Sequence, residues 1–548
     1  MQGPAKYPSC FPYFSALIFF LTALFSCSAR EATQVKLTAS FTYSPALPVP
    51  GQAVQFTDSS KGSPTAWDWN FGDGMTSVAQ NPNHSYAAVS SYTVTLDISN
   101  GSSSSRTSQA ISVRQPGTVA AASPSLADVK AAIGLAEPGD TVVVPAGATT
   151  WSGQLVITKG IILKGAGIDQ TVITSNYVRG NPEDPQDPRN HLIVYTPANP
   201  LLDEPFRLSG FTFDLASKCF GIELRLWPID DIPLTKIRID HNKLMNVPTG
   251  RPGYNIYIMG PFYGVIDNNQ FLGGGAMANS WDSTIWGSPD PRISTFDFGS
   301  PNNMYFEDNT FIIEPMDFIL MFYGGNGGRY CFRYNYVDGS NLTEGFYPLC
   351  DLHGTQGLGH EGSGGTLGAE IYENTIIARQ GYTVDQRGGK VLCYNNHATT
   401  TSGWVTKVTE EHDDYLGPYP YVSATSGQHK YVTNSYYWGN TRNSRPITEY
   451  QIVRTVDYTK YGNGEGIVPR KDVHVWFEPD LVDNYTFDGT RGCGYGLLAN
   501  RPSSGLKTGV GYWASDQRKL YRATGPTTWE LIYTEYPYPH PLRTVLSD

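Results

Sequence analysis

At 548 residues the sequence is too long for one compact core, so it holds either several domains or an elongated repeat. A formal net charge of −11, with only 16% charged residues and few runs of Lys or Arg, excludes the basic face that a phosphate backbone demands. Aromatic residues make up 13% of the chain, a composition that suits contact with neutral or mixed polysaccharides better than with nucleic acid.

Residues 1–29 read as a secretory signal: Lys6 precedes the apolar run FSALIFFLTALFS (14–26), which is too short to span a membrane, and small residues follow. Leu24-Phe25-Ser26-Cys27 resembles a bacterial lipobox, which implies a lipidated Cys27 and anchoring at the outer membrane or cell surface. Ordinary cleavage near Ala29, giving a secreted protein, is the alternative. The cysteines at 219, 331, 350, 393 and 493 are widely and irregularly spaced, with no CxxC pair for zinc or redox work. Buried thiols and at most two disulfides are expected.

From Lys36 to Val113 the sequence alternates at period two between clusters of Gly, Pro, Ser and Asn, the pattern of short antiparallel strands in a sandwich. "WDWNFGDG" (67–74) followed by "NPNHSYAAVSSYTVTL" (81–96) resembles a PKD domain, an immunoglobulin-like module, and assigns residues 36–114 to it. The resemblance implies a spacer or a weak contact to protein or carbohydrate. Trp67 and Trp69 are expected on its core, and QPGTVAAASP (115–124) as a linker.

Ser125 and Asp128 form a helix start, and an amphipathic helix stopping near Pro138 should follow, succeeded by short β-rich runs. The stretch 125–167 resembles the N-terminal cap and first coils of the pectate-lyase-like (pectin lyase-like) right-handed parallel β-helix superfamily. That resemblance implies a fold rather than a reaction, and assigns 125–450 to a solenoid. Downstream, an apolar residue, two variable residues and Asn recur, at Asn242, Asn269, Asn309, Asn335, Asn374 and Asn395. The spacings of 27, 40, 26, 39 and 21 residues fit coils of about two dozen residues with some loops enlarged. The whole chain is therefore expected to be all-β, a sandwich followed by a parallel β-helix. Ile239-Asp240-His241 is similar to a pectate-lyase run but falls in this ordinary turn frame.

Upstream of each asparagine lies an alternating run ending in glycine: YNIYIMG, ISTFDFG, FILMFYGG, PLCDLHG and YTVDQRGG. Aligned on the glycine, they place Met259, Phe298, Tyr323, His353 and Arg387 in one column, and Tyr257, Phe296, Met321, Asp351 and Asp385 two positions earlier. Period two puts both columns on one face, with Cys350, Leu352 and Val384 inside and Gln386 a polar exception there. Asp351, His353, Asp385 and Arg387 are the expected acid/base cluster. Tyr257, Phe296, Phe298 and Tyr323 are the expected sugar-stacking surface, and His360 and Glu361 lie in the rim loop 354–368. A surface ion-pair ladder is the bland alternative.

GHEGSGG (359–365) is similar to a polygalacturonase segment, yet that family's Asn-Thr-Asp and Arg-Ile-Lys partners are absent, as is the Arg-x-Pro-x-x-Arg pattern of pectate lyases. No metal site is expected. Calcium is the one cation the sequence would suit, at Glu410, Glu411, Asp413 and Asp414, against a solvated acidic loop. Residues 451–548, dense in Tyr, Trp and Pro, are expected to cover the last coil through Trp513, Trp529 and Tyr533. The expectation is an exported monomer that binds and degrades a polysaccharide as a lyase or glycoside hydrolase. A non-catalytic surface adhesin is its rival.

Overall fold

A computed structural model describes residues 36–180, 187–226, 232–248, 254–278, 297–313, 322–324, 328–341, 350–352, 366–378, 384–386, 388–400, 406–408, 432, 434–447, 451–452, 472, 475–479 and 486–546. The fold is all-β: an immunoglobulin-like sandwich followed by a parallel β-helix.

In the sandwich, a three-stranded sheet (Phe41–Ser44, Ala53–Asp58, Asn83–Ser85) packs on a four-stranded one that includes Ala66–Asn70 and the long hairpin Ser90–Ser99/Ser104–Val113. Trp69 is fully buried among Phe41, Phe56 and Leu96, whereas Trp67 is half-buried and donates its indole N–H to Asp58 at 2.8 Å. Gly72 is required where it stands: φ is +85°, and a Cβ there would lie 2.7 Å from the Thr93 carbonyl oxygen.

The expected linker is structured. Thr118–Ala120 pairs with Thr141–Val143 as the first strand of the solenoid's longest sheet. The sandwich is also fixed to the first coils by Arg114 on Asp140 (2.6 Å), by Lys236 donating to the Gly51 carbonyl (3.0 Å), and by Gln52 donating to Glu204 (3.5 Å). The helix Leu126–Leu135 follows, its Ser125 hydroxyl accepting from the Asp128 N–H at 3.2 Å, with Val129, Ala132 and Ile133 turned onto the core.

Each coil then contributes one strand to a ten-stranded sheet, one to a twelve-stranded sheet and one to an eleven-stranded sheet, counted among the described residues. A representative coil runs Tyr254–Met259, Phe262–Asp267, Gln270–Leu272. Alternate residues point inward, and columns such as Ile222, Ile256, Cys350 and Val384 make one continuous apolar interior. Gln386 enters it with its amide satisfied: it donates to Ser435 Oγ (2.8 Å) and the Gly389 carbonyl (2.9 Å), and accepts from the Tyr437 hydroxyl (2.6 Å).

Between the twelve- and eleven-stranded sheets the chain turns on two residues. The second is a buried asparagine whose Oδ1 accepts from the main-chain N–H and the side-chain amide of its predecessor. The ladder runs Asn242, Asn269, Asn309, Asn335, Asn374, Asn396, Asn440, with amide contacts of 2.9–3.2 Å. Asn396 rather than Asn395 occupies the sixth rung. The left-handed residue is the one before each rung: His241, Asn268, Asp308, Tyr334, Glu373 and Asn395 all have φ between 50° and 57°. Asn395 therefore supplies the turn geometry and Asn396 the hydrogen bonds.

The outward face of the twelve-stranded sheet is also buried. Alternating charges run along it: Arg207 on Asp240 (2.7 Å), Arg238 on Asp267 (3.0 Å), Arg543 on Glu307 (3.1 Å) and Arg333 on Glu307 (2.7 Å). Asp240 is thus committed to Arg207 and His241, and burial, which would push its carboxyl up, is overcome by those hydrogen bonds so that it sits at about 2. The final segment covers this face. Arg333 donates to the carbonyls of Tyr536 and Pro537 (2.8 Å each), and Arg238 donates to that of Leu546 (2.7 Å). Trp513 and Tyr533 pack against Tyr394, and Trp513 also against Trp438. The aromatic C-terminal residues therefore lie along the solenoid's flank. The solenoid itself continues past 450, because Val475–Phe477 extends the twelve-stranded sheet. All five described cysteines are buried free thiols.

Candidate functional site

The ten-stranded sheet carries the expected acid/base column. The backbone register that holds it reads Glu223, Tyr257, Met277, Tyr323, Asp351, Asp385, Lys407 from coil to coil. Asp351 and Asp385 are direct partners on neighbouring strands, about 4.8 Å apart along the stack. Their flanking residues Cys350, Leu352 and Val384 are in the core, which fixes both carboxylates on the opposite face. The pair is well shielded: 5% of Asp351 and 6% of Asp385 is exposed.

Four strand steps away, Glu223 is fully buried between Arg225 Nη1 at 2.8 Å and His191 Nδ1 at 3.4 Å. Burial pushes its carboxyl up, but His191 and Arg225 outweigh burial and hold it below the usual range. Neither Glu223 nor Lys407 ends a glycine-terminated run, so the glycine alignment missed them. Counting strands backward from the asparagine turn would have found both.

Other expectations change. Tyr257 occupies the predicted column but is fully buried, with its ring 5.4 Å from His191 and 5.5 Å from Tyr254, so it offers no stacking surface to solvent. Phe298 leaves the column altogether. The strand of its coil is Gly275–Ala278, which enters the sheet directly after Leu272, and the ISTFDFG run belongs to the insertion that follows. Phe298 packs edge-on against Tyr533 at 6.2 Å. Tyr323, not Met321, is in register with Asp351, and only its backbone is described. Phe296, His353, His360, Glu361, Arg387 and Cys27 lie outside the described residues, as do Glu410, Glu411, Asp413 and Asp414. Among the described residues no group of three or more His, Cys, Asp or Glu is arranged to hold a metal ion, and no helix is long and apolar enough to cross a membrane.

Comparison with known proteins bears on the sandwich most directly: residues 30–114 match the PKD domain model. The PKD1 domain of Vibrio cholerae metalloprotease PrtV is 29% identical over 14% of this chain and 98% of its own, with a TM-score of 0.13. A structure of carbohydrate-binding modules from the β-sandwich superfamily is 28% identical over 15% of this chain, a match spanning 36% of its own, with a TM-score of 0.15. A Yersinia enterocolitica family 28 exopolygalacturonase aligns over 76% of this chain and 88% of its own at 12% identity, with a TM-score of 0.29. No curated protein matches the sequence. The chain thus joins an N-terminal PKD domain to a parallel β-helix.

Proposed function

We propose that the chain is an exported polysaccharide-degrading enzyme whose solenoid is of the pectin-lyase-like kind, with the glycan lying across the coils of the ten-stranded sheet. The observation that carries this reading is the pairing of Asp351 with Asp385 on adjacent strands, both outward and both shielded from bulk water. In this reading one carboxyl acts as proton donor while its partner serves as base or nucleophile.

One strand spacing, about 4.8 Å between backbones, would let the two carboxyl groups stand at the roughly 5–5.5 Å separation of retaining glycosidases. In this reading one carboxylate attacks the anomeric carbon while its partner protonates the leaving oxygen. Water then releases the glycosyl group, with the roles of acid and base exchanged. The adhesin alternative needed a repeated exposed aromatic strip, and the burial of Tyr257 removes its best-described member.

The test is a panel of plant, algal and bacterial polysaccharides, assayed with and without chelator for new reducing ends and for the ultraviolet absorbance of an unsaturated product. Hydrolysis abolished by Asp351→Asn and by Asp385→Asn supports the proposal. Unsaturated product would replace hydrolysis by elimination, full activity in both variants would remove the site, and binding without product would make the chain an adhesin.

A further inference from the structure

The outward face of the twelve-stranded sheet holds a group that none of the preceding chemistry uses. Arg329 begins the strand Arg329–Arg333 and is only 4% exposed, yet its Nε and Nη2 have no hydrogen-bond partner and no carboxylate lies within ion-pair reach among the described residues. Its neighbours in the same file are Gly368 on the next strand and Lys390 on the one after. Two cations thus flank a residue without a side chain, about 10 Å apart along the stack. Thr366, on the same face as Gly368, is fully buried with its hydroxyl unpartnered.

Nearby charge does not satisfy the pair. Tyr263 and Asp297 are close enough to be felt by Arg329, but Asp297 is exposed and forms no ion pair among the described residues. Arg522, on the C-terminal segment, adds a third cation and is itself spent on Glu530 at 2.7 Å. Glu370, two residues beyond Gly368, accepts from the Gly299 N–H at 2.7 Å. Burial lowers the proton affinity of both Arg329 and Lys390. A buried guanidinium without a counter-ion is costly, and an oxyanion with two or three acceptor oxygens would relieve it.

We propose that Arg329 and Lys390, facing each other across Gly368, bind a carboxylate or sulfate group carried by an anionic polysaccharide. This rests on the polysaccharide reading above and narrows it. Lys390 follows Asp385 by only five residues, around the corner between the two sheets, so a chain crossing the acid pair can reach the site with a neighbouring sugar or branch.

The experiment compares the full chain with Arg329→Met and Lys390→Met. Thermal unfolding is followed in sodium sulfate against sodium chloride at equal ionic strength. Affinity electrophoresis is run in a polyuronate, its carboxyl-reduced form, a sulfated galactan and its desulfated form. The expected result is a sulfate-specific rise in unfolding temperature that both variants lose, and retardation by one charged polymer but not its neutral counterpart. That retardation should weaken about 10- to 100-fold in either variant, the value of one or two charge-assisted hydrogen bonds. Arg329→Met should unfold no lower than the parent without sulfate, because it removes an uncompensated buried charge. An equal sulfate response in parent and variants overturns the anion site. A sulfate response lost in the variants, with charged and neutral polymers held alike, overturns its role in recognising the glycan. Loss of turnover in Asp385→Asn with retardation unchanged separates this site from the acid pair.

Discussion

Replacing Asn335 by alanine tests the ladder at its centre. The Asn335 side chain donates to the carbonyls of Phe306 (2.9 Å) and Arg333 (3.0 Å) and to Asn374 Oδ1 (3.1 Å), and accepts from the N–H and the amide of Asn309 (3.0 Å each). A net hydrogen bond is worth about 1 kcal/mol, and a buried donor left unpaired, here the Asn309 N–H, costs about 1–3 kcal/mol. Allowing for partial relaxation, the substitution should destabilise the central coils by about 3–5 kcal/mol. The control is a turn asparagine outside the ladder: Asn395 has φ +50° and one side-chain bond, to Glu373 at 2.9 Å, so Asn395→Gly should change stability by less than about 1 kcal/mol. Urea unfolding followed by tryptophan fluorescence gives the overall loss, and hydrogen exchange at the Asn309 amide gives the local one. An Asn335→Ala loss no larger than that of Asn395→Gly, with the Asn309 amide still protected, would refute the ladder as a source of stability.

Asp351→Asn and Asp385→Asn should each lower kcat by about 10²–10⁴ with little change in unfolding temperature, measured on whichever polysaccharide the panel identifies. Glu370 is fully buried, and burial pushes its carboxyl up to about 7 despite the Gly299 N–H. Since the folded state holds this proton more tightly than an unfolded glutamate, stability should fall as pH rises from about 4.5 to 7. Glu370→Gln should remove that slope and gain about 2–3 kcal/mol at pH 8 while matching the parent at pH 4, read by urea midpoints across pH. Arg333→Ala leaves Glu307 with a buried charge short of a partner and frees the carbonyls of Tyr536 and Pro537. A loss of about 3–5 kcal/mol is expected, with faster proteolysis in the final sixty residues.

The solenoid was legible because its signals are local and repeated: an asparagine every coil, alternating apolar residues between, and a capped helix at the start. The site was legible only in part. Period two placed Asp351 and Asp385 on the outward face correctly, since Cys350, Leu352 and Val384 between them belong inside. The glycine alignment fails at 293–299 because glycine ends strands and insertions alike, so it assigns Phe296 to a column place that Met277 occupies. Burial of Tyr257 could not be read from its own strand, because its cover includes His191, far away in sequence. The same holds for the twelve-stranded sheet. Arg238, Arg333 and Glu370 look like solvent-facing residues of an alternating strand until the segment that covers them, some two hundred residues later for Arg333, is placed on top.

That covering segment also counts. It touches the strand of Trp476 through Gly509 and the strand of Arg238 through Leu546, seven strand steps or about 34 Å apart. Insertion or loss of a single turn of the spiral between those points would shift one end by about 4.8 Å and pull its donors and rings out of step. A protein whose repeats could otherwise be duplicated or deleted at small cost is thereby held to one length, measured by a strap that spans it like a ruler.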